Sequence, residues 1–96
     1  MKLDDVTRLL EQNKDALKRL GVKTLAVFGS TARGEATLSS DVDIMVTFDT
    51  SPNFDDYINT KFFLEDLLDC KVDLVTQDSL KPLVKVELEK EAVYVS

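Results

Sequence analysis

The chain reads as a mixed α/β (α+β) domain, a small mixed β-sheet covered by helices. Three observations carry that expectation. Helical and strand-like apolar patterns alternate as α-β-α-β-α-β-α-β, which is the order of a layered sheet-and-helix domain. The strand-like runs are short and rich in valine, leucine and isoleucine, as in Val22–Phe28 and Asp41–Phe48. The 96 residues contain no repeat, low-complexity stretch or linker, so one core and a single domain over residues 1–96 are expected.

Taken in order, Val6, Leu9, Leu10, Leu17 and Leu20 recur at helical spacing, with Asp4 or Asp5 placed to cap the start and Gly21 to end the helix. Val22–Phe28 is a strand that stops at Gly29-Ser30, and residues 31–40 are small and polar enough for a short helix and a loop. From Asp41 to Phe48 the residues alternate, Val42, Ile44 and Val46 on one face and Asp41, Asp43 and Met45 on the other. The turn and cap signal Thr50-Ser51-Pro52-Asn53 precedes an apolar helical stripe of Phe54, Tyr57, Ile58, Phe62, Leu64, Leu67 and Leu68. Val72–Val75 is a further strand. Asp78 or Ser79 can cap a last helix with Pro82 in its first turn and Leu80, Val84 and Leu88 inward, and Val93–Val95 can add an edge strand.

Composition narrows the chemistry. Hydrophobic residues at 44% and charged residues at 31% describe a chain able to build a core in water. The longest apolar run, Leu25–Phe28, is far short of the roughly 20 residues a membrane-spanning helix needs. The N-terminus turns acidic at Asp4-Asp5 with no apolar signal region, so a cytoplasmic location is expected. The absence of histidine excludes Ser-His-Asp and Cys-His triads, and the lone Cys70, read as a buried small hydrophobe, permits no disulfide or thiolate zinc cluster. Twelve scattered basic residues against 18 acidic ones, net −6, argue against direct nucleic-acid binding. Chemistry here must rest on carboxylates.

Gly29-Ser30, after a buried strand and before a possible helix, is a turn at which backbone can approach a phosphate closely, or simply a tight turn with no ligand. Gly29 and Gly34 have the spacing of half a Walker A loop, but Glu35-Ala36 stands where Lys-Ser or Lys-Thr is required, and glycines 21, 29 and 34 cannot form a dinucleotide fingerprint. Asp41 and Asp43, two apart on a strand, leave the same face about 6.6 Å apart at the backbone. Carboxylates about 5 Å apart repel by about 3 kcal/mol at an effective dielectric near 20, which a cation between them relieves. Oxygen-only ligation selects Mg²⁺ or Mn²⁺. Arg33 can meet phosphate or pair with Glu35, and Glu87, Glu89 and Glu91 read as a solvated face.

Gly29-Ser30, ten residues, then Asp41-Val42-Asp43 resembles the signature of the DNA-polymerase-β-like nucleotidyltransferase superfamily. Phe28-Gly29-Ser30-Thr31-Ala32-Arg33-Gly34-Glu35-Ala36 followed by Ser40-Asp41-Val42-Asp43 more closely resembles its minimal nucleotidyltransferase family, which includes MntA-like antitoxins. The chain departs at Thr31, where the family often has arginine. The resemblance implies a nucleotidyltransferase fold and a third carboxylate on a later strand, matched by Asp73 in Lys71-Val72-Asp73-Leu74-Val75. It implies that Asp41 and Asp43 hold two Mg²⁺ ions (Mn²⁺ being an alternative), that Asp73 shares one of them and helps deprotonate an acceptor, and that Gly29, Ser30 and Arg33 bind the phosphates of ATP. The partner it implies is a HEPN-domain toxin, in a hetero-oligomer, silenced by adenylylation of a tyrosine. A binding-only antitoxin or structural subunit without catalysis is the alternative, and a small-molecule nucleotidyltransferase of the aminoglycoside-modifying kind a third.

Overall fold

The computed structural model describes residues 2–34 and 41–95, with the side chains of Ser30 and Asp78 outside the description. The element order is α1 (Leu3–Gln12), α2 (Lys14–Arg19), β1 (Val22–Phe28), α3 (Gly29–Ala32), β2 (Val42–Phe48), α4 (Phe54–Leu68), β3 (Val72–Thr76), a 3₁₀ turn (Gln77–Ser79), α5 (Pro82–Glu91) and β4 (Val93–Tyr94). The strands form one mixed sheet in the order β3-β2-β1-β4. β1 pairs antiparallel with β2 and β4, and β2 runs parallel to β3.

The expected first helix is two. Asn13 bends the chain out of helical geometry at φ −112° and ψ 20°, and its amide donates to the carbonyl of Leu9 at 2.9 Å. An asparagine that bonds back to the preceding turn competes with the helix ladder, which the apolar spacing alone does not reveal. The start also differs. The N-cap is Lys2, and Asp4 and Asp5 lie inside the first turn, where their charge opposes the positive end of the helix dipole. Gly21 closes α2 as expected, at φ +91° with its N–H donating to Lys18.

The alternation in β2 sorts the two faces of the sheet. Val42, Ile44 and Val46 join Val6, Leu10, Leu17, Leu25, Val27, Leu64, Leu68, Val72 and Leu74 in the main core, under α1, α2 and α4. Met45 faces the other way and packs with Ala26 and Phe28, under Val75, Leu80, Leu88 and Ala92. That second cover is thin, because α5 contributes no fully buried residue.

Helix α4 starts at a capping box: Asn53 accepts from the backbone of Asp56, whose carboxylate accepts from the backbone of Asn53. Its buried stripe is Thr60, Leu64 and Leu68, with Tyr57 and Leu67 partly covered. Phe54 and Phe62, expected inward, are 75% and 57% exposed. Phe62 lies two residues from Leu64, about 200° round the helix, so both cannot face one core. The last helix begins at Pro82 with Lys81 as its N-cap, in place of Asp78 or Ser79, which fall in the 3₁₀ turn. Leu80 and Leu88 pack inward as expected, whereas Val84 is 45% exposed. Cys70 is only half-buried, against the main core. Among the described residues no helix is long and apolar enough to cross a membrane.

Candidate active site

The acids gather where β1 ends and β2 and β3 begin. Parallel pairing sets Asp43 level with Asp73, and antiparallel pairing sets Asp43 level with Phe28, one residue before Gly29. Asp43 shares the sheet face of Met45, opposite the main core, so its carboxylate stands on the thinly covered side. It is half-buried, while Asp41, just before β2, and Asp73 are exposed.

Gly29 makes room for this arrangement. Its φ is +70°, and a β-carbon there would lie 2.1 Å from Oδ2 of Asp43 and 2.9 Å from its Cγ. The close approach of backbone to carboxylate thus needs glycine twice over, for the positive φ and for the missing side chain. The backbone of Ser30 lies in α3, and its hydroxyl lies outside the description. Of the Asp41-Val42-Asp43 motif, it is Asp43 that meets the glycine turn.

Burial raises the Asp43 carboxyl above its ordinary value of 3.8. The negative charges of Asp73 and Asp41 raise it further, as does a hydrogen bond with Asp73, and the Arg33 guanidinium opposes them. The folded state consequently binds Asp43's proton more tightly than the unfolded chain. Stability falls as pH rises through the interval between the ordinary and the raised value, and stays lower at neutral pH. Asp43→Asn is expected to raise Tm at pH 7 in metal-free buffer, with the advantage shrinking as pH drops through the interval between the raised and the ordinary value. Thermal scans across pH measure this, and a lower Tm for the variant at pH 7 would contradict it.

Among the described residues, no three side chains of Asp, Glu or Cys converge tightly enough for a closed metal-ligand set. Asp43 and Asp73 come together, and Asp41 acts on Asp43 more weakly than Asp73 does. This donor set suits Mg²⁺, which is usually held by one or two carboxylates with substrate phosphates and water completing the shell. Burial first, and then the charges of Asp73 and Asp41, raise the Asp43 carboxyl, and a cation between the carboxylates would relieve that repulsion.

Arg33, at the end of α3, pairs with Glu91 at the end of α5 through Nη1, 3.0 Å away. The Glu35 partner weighed from sequence lies outside the described residues. Local patterning places Glu91 on a solvated face; the fold brings it, 58 positions along the chain, onto Arg33, and nothing in that patterning signals the pairing. Thr31 is 1% exposed and its hydroxyl has no hydrogen-bond partner among the described residues. A buried, unmatched hydroxyl costs about 1–3 kcal/mol. Thr31→Val should therefore stabilise the fold by about 1 kcal/mol in urea unfolding; a loss of stability would mean that the hydroxyl is satisfied.

Residues 8–95 match the nucleotidyltransferase domain family. The chain is 42% identical over 94 residues to the protein adenylyltransferase MntA of Thermococcus cleftensis, covering 97% of this chain and 95% of that one. It superposes with a TM-score of 0.85 and 34% identity on a solved candidate minimal nucleotidyltransferase, over 97% of this chain and 95% of the other. A more distant likeness, at 19% identity and a TM-score of 0.68, covers 94% of this chain and 71% of a chain from the complex of a tri-AMPylated Shewanella oneidensis HEPN toxin with its MNT antitoxin; it extends to the fold alone. The family match over residues 8–95, with the likeness to these proteins across nearly the whole chain, places a chain whose glycine turn meets Asp43 level with Asp73 in the nucleotidyltransferase domain family, among the minimal nucleotidyltransferases.

Proposed function

We propose that the chain transfers a nucleoside monophosphate, AMP from ATP, to a hydroxyl of a protein partner, a tyrosine of a HEPN-domain toxin, and so acts as an antitoxin. The observation that carries the reading is the level pairing of Asp43 with Asp73 beside Gly29. The relative named a protein adenylyltransferase supports a protein acceptor, and the toxin-antitoxin assembly sharing the fold supports the kind of partner.

Asp41, Asp43 and Asp73 are the residues that would hold Mg²⁺. Two such ions, when bound, supply neutralisation of the phosphate charge that builds up during transfer. The chain's own groups do the rest. The backbone of Gly29 and Ser30, with Arg33, would bind the outer phosphates and orient the α-phosphorus. Asp73 would accept the proton of the acceptor hydroxyl as its oxygen bonds to the α-phosphorus. The bond from that phosphorus to the bridging oxygen breaks, and pyrophosphate leaves with the electron pair. Because Asp43 is half-buried among like charges, the site is poised for a cation and repels a bare triphosphate.

Calorimetric titration with ATP, in Mg²⁺ and then in EDTA, tests the reading. Binding is expected in Mg²⁺ and to weaken by at least about tenfold in EDTA, the effect of about 1.4 kcal/mol of lost charge compensation. Equal affinity in both would contradict a metal-centred site.

A further inference from the structure

We propose that Tyr57 and Glu65 of α4 are positioning residues for Asp73, clamping the free edge of β3 on either side of it. The catalytic part of this inference rests on the transfer reaction proposed above.

Strand β3 is the outermost strand of the sheet on its side, with β2 as its neighbour. Its carbonyl at Lys71 accepts from Val42 of β2, and the parallel register continues through Asp73. By the alternation of a strand, Lys71 and Asp73 turn their backbone groups toward β2, so Val72 and Leu74 turn theirs outward. Such an outward row is ordinarily left to water or recruits a second strand. Here α4 takes both positions. The Val72 N–H donates to the Glu65 carboxylate at 3.1 Å, and the Tyr57 hydroxyl donates to the Leu74 carbonyl. The two bonded residues flank Asp73, and both bonds are partly shielded from water.

Helix α4 is a firm mount for this clamp, because Thr60, Leu64 and Leu68 between and beyond the two side chains are buried in the core. A five-residue edge strand with a single strand neighbour among the described residues is otherwise the part of a sheet that opens most readily. Asp73 thus sits on a backbone held from both sides, by β2 directly and by α4 through its neighbours. That matters for chemistry, since a displacement of about 1 Å at a reacting group can cost about a hundredfold in rate.

The test uses the whole chain with Tyr57→Phe, Glu65→Leu and Glu65→Gln, read by amide hydrogen exchange and by steady-state transfer. In Tyr57→Phe and Glu65→Leu, exchange at the Asp73 amide should quicken by about tenfold while Val27 and Ile44 keep their protection. For the same variants kcat should fall by about fivefold to tenfold with the KM for ATP within about twofold, and the loss should vanish in an Asp73→Asn background. Glu65→Gln keeps an acceptor oxygen and should restore most of both readouts. Unchanged exchange at Asp73 would overturn the clamp. Faster exchange with unchanged kcat would reduce the pair to edge protection and overturn the positioning role. A wild-type chain that transfers nothing would instead defeat the proposed function, and the exchange measurements would still decide whether α4 holds Asp73.

Discussion

Gly29→Ala is expected to reduce nucleotidyl transfer by at least about a hundredfold, a loss of about 2.7 kcal/mol in transition-state stabilisation. Two effects act together. The backbone at φ +70° lies in the left-handed region, where a residue with a β-carbon is strained by about 1–2 kcal/mol. The added methyl would also lie 2.1 Å from an oxygen of Asp43, far inside contact distance, so the carboxylate must leave its place beside Asp73. The stability cost should be partial, since the site is at the end of the sheet while the main core lies beneath its other face. Initial rates of transfer, together with urea unfolding, measure both. A folded Gly29→Ala protein with the wild-type rate would show that the contact between this turn and Asp43 is dispensable.

Asp73→Asn is the second large effect. The substitution keeps shape and hydrogen-bonding capacity at an exposed position, so the fold should persist. Asp41 and Asp43 remain, and most Mg²⁺-ATP binding should remain with them. Transfer should nevertheless fall by at least about a hundredfold, because assistance to proton removal is worth about 10²–10⁴-fold on its own. The measurements are the single-turnover rate and the ATP affinity of the same preparation. Equal loss in both would make Asp73 a binding residue, and an unaltered rate would remove it from the site.

How much of this is legible before folding depends on the range of the contact. The strand alternation of Asp41–Phe48 tells which residues of β2 face the core, because period-two patterning is local, and it places Asp43 on the same face as Met45. Gly29 is legible as a turn from its neighbours, but not as the residue that touches Asp43, since that contact is made by strand register. The pairing of Asp43 with Asp73 has the same origin: thirty positions separate them in the chain, and only the parallel β2–β3 ladder sets them level. Tyr57 reads from spacing as one more apolar contact of α4, although its hydroxyl ends on β3. The break at Asn13 and the outward turn of Phe54, Phe62 and Val84 show the converse limit. Apolar spacing reports that a face exists, whereas caps, side-chain back-bonding and the thin cover of the second sheet face decide which residues occupy it.

The most direct measurement is the intact mass of the HEPN-domain toxin proposed as partner after incubation with this chain, ATP and Mg²⁺, beside the same reaction with Asp43→Ala. The partner should gain mass in steps of one nucleoside monophosphate with the wild-type chain and none with the variant, and tandem fragmentation should place the gain on tyrosine. A partner that is bound and silenced by the wild-type chain with no gain in mass would contradict the proposed transfer.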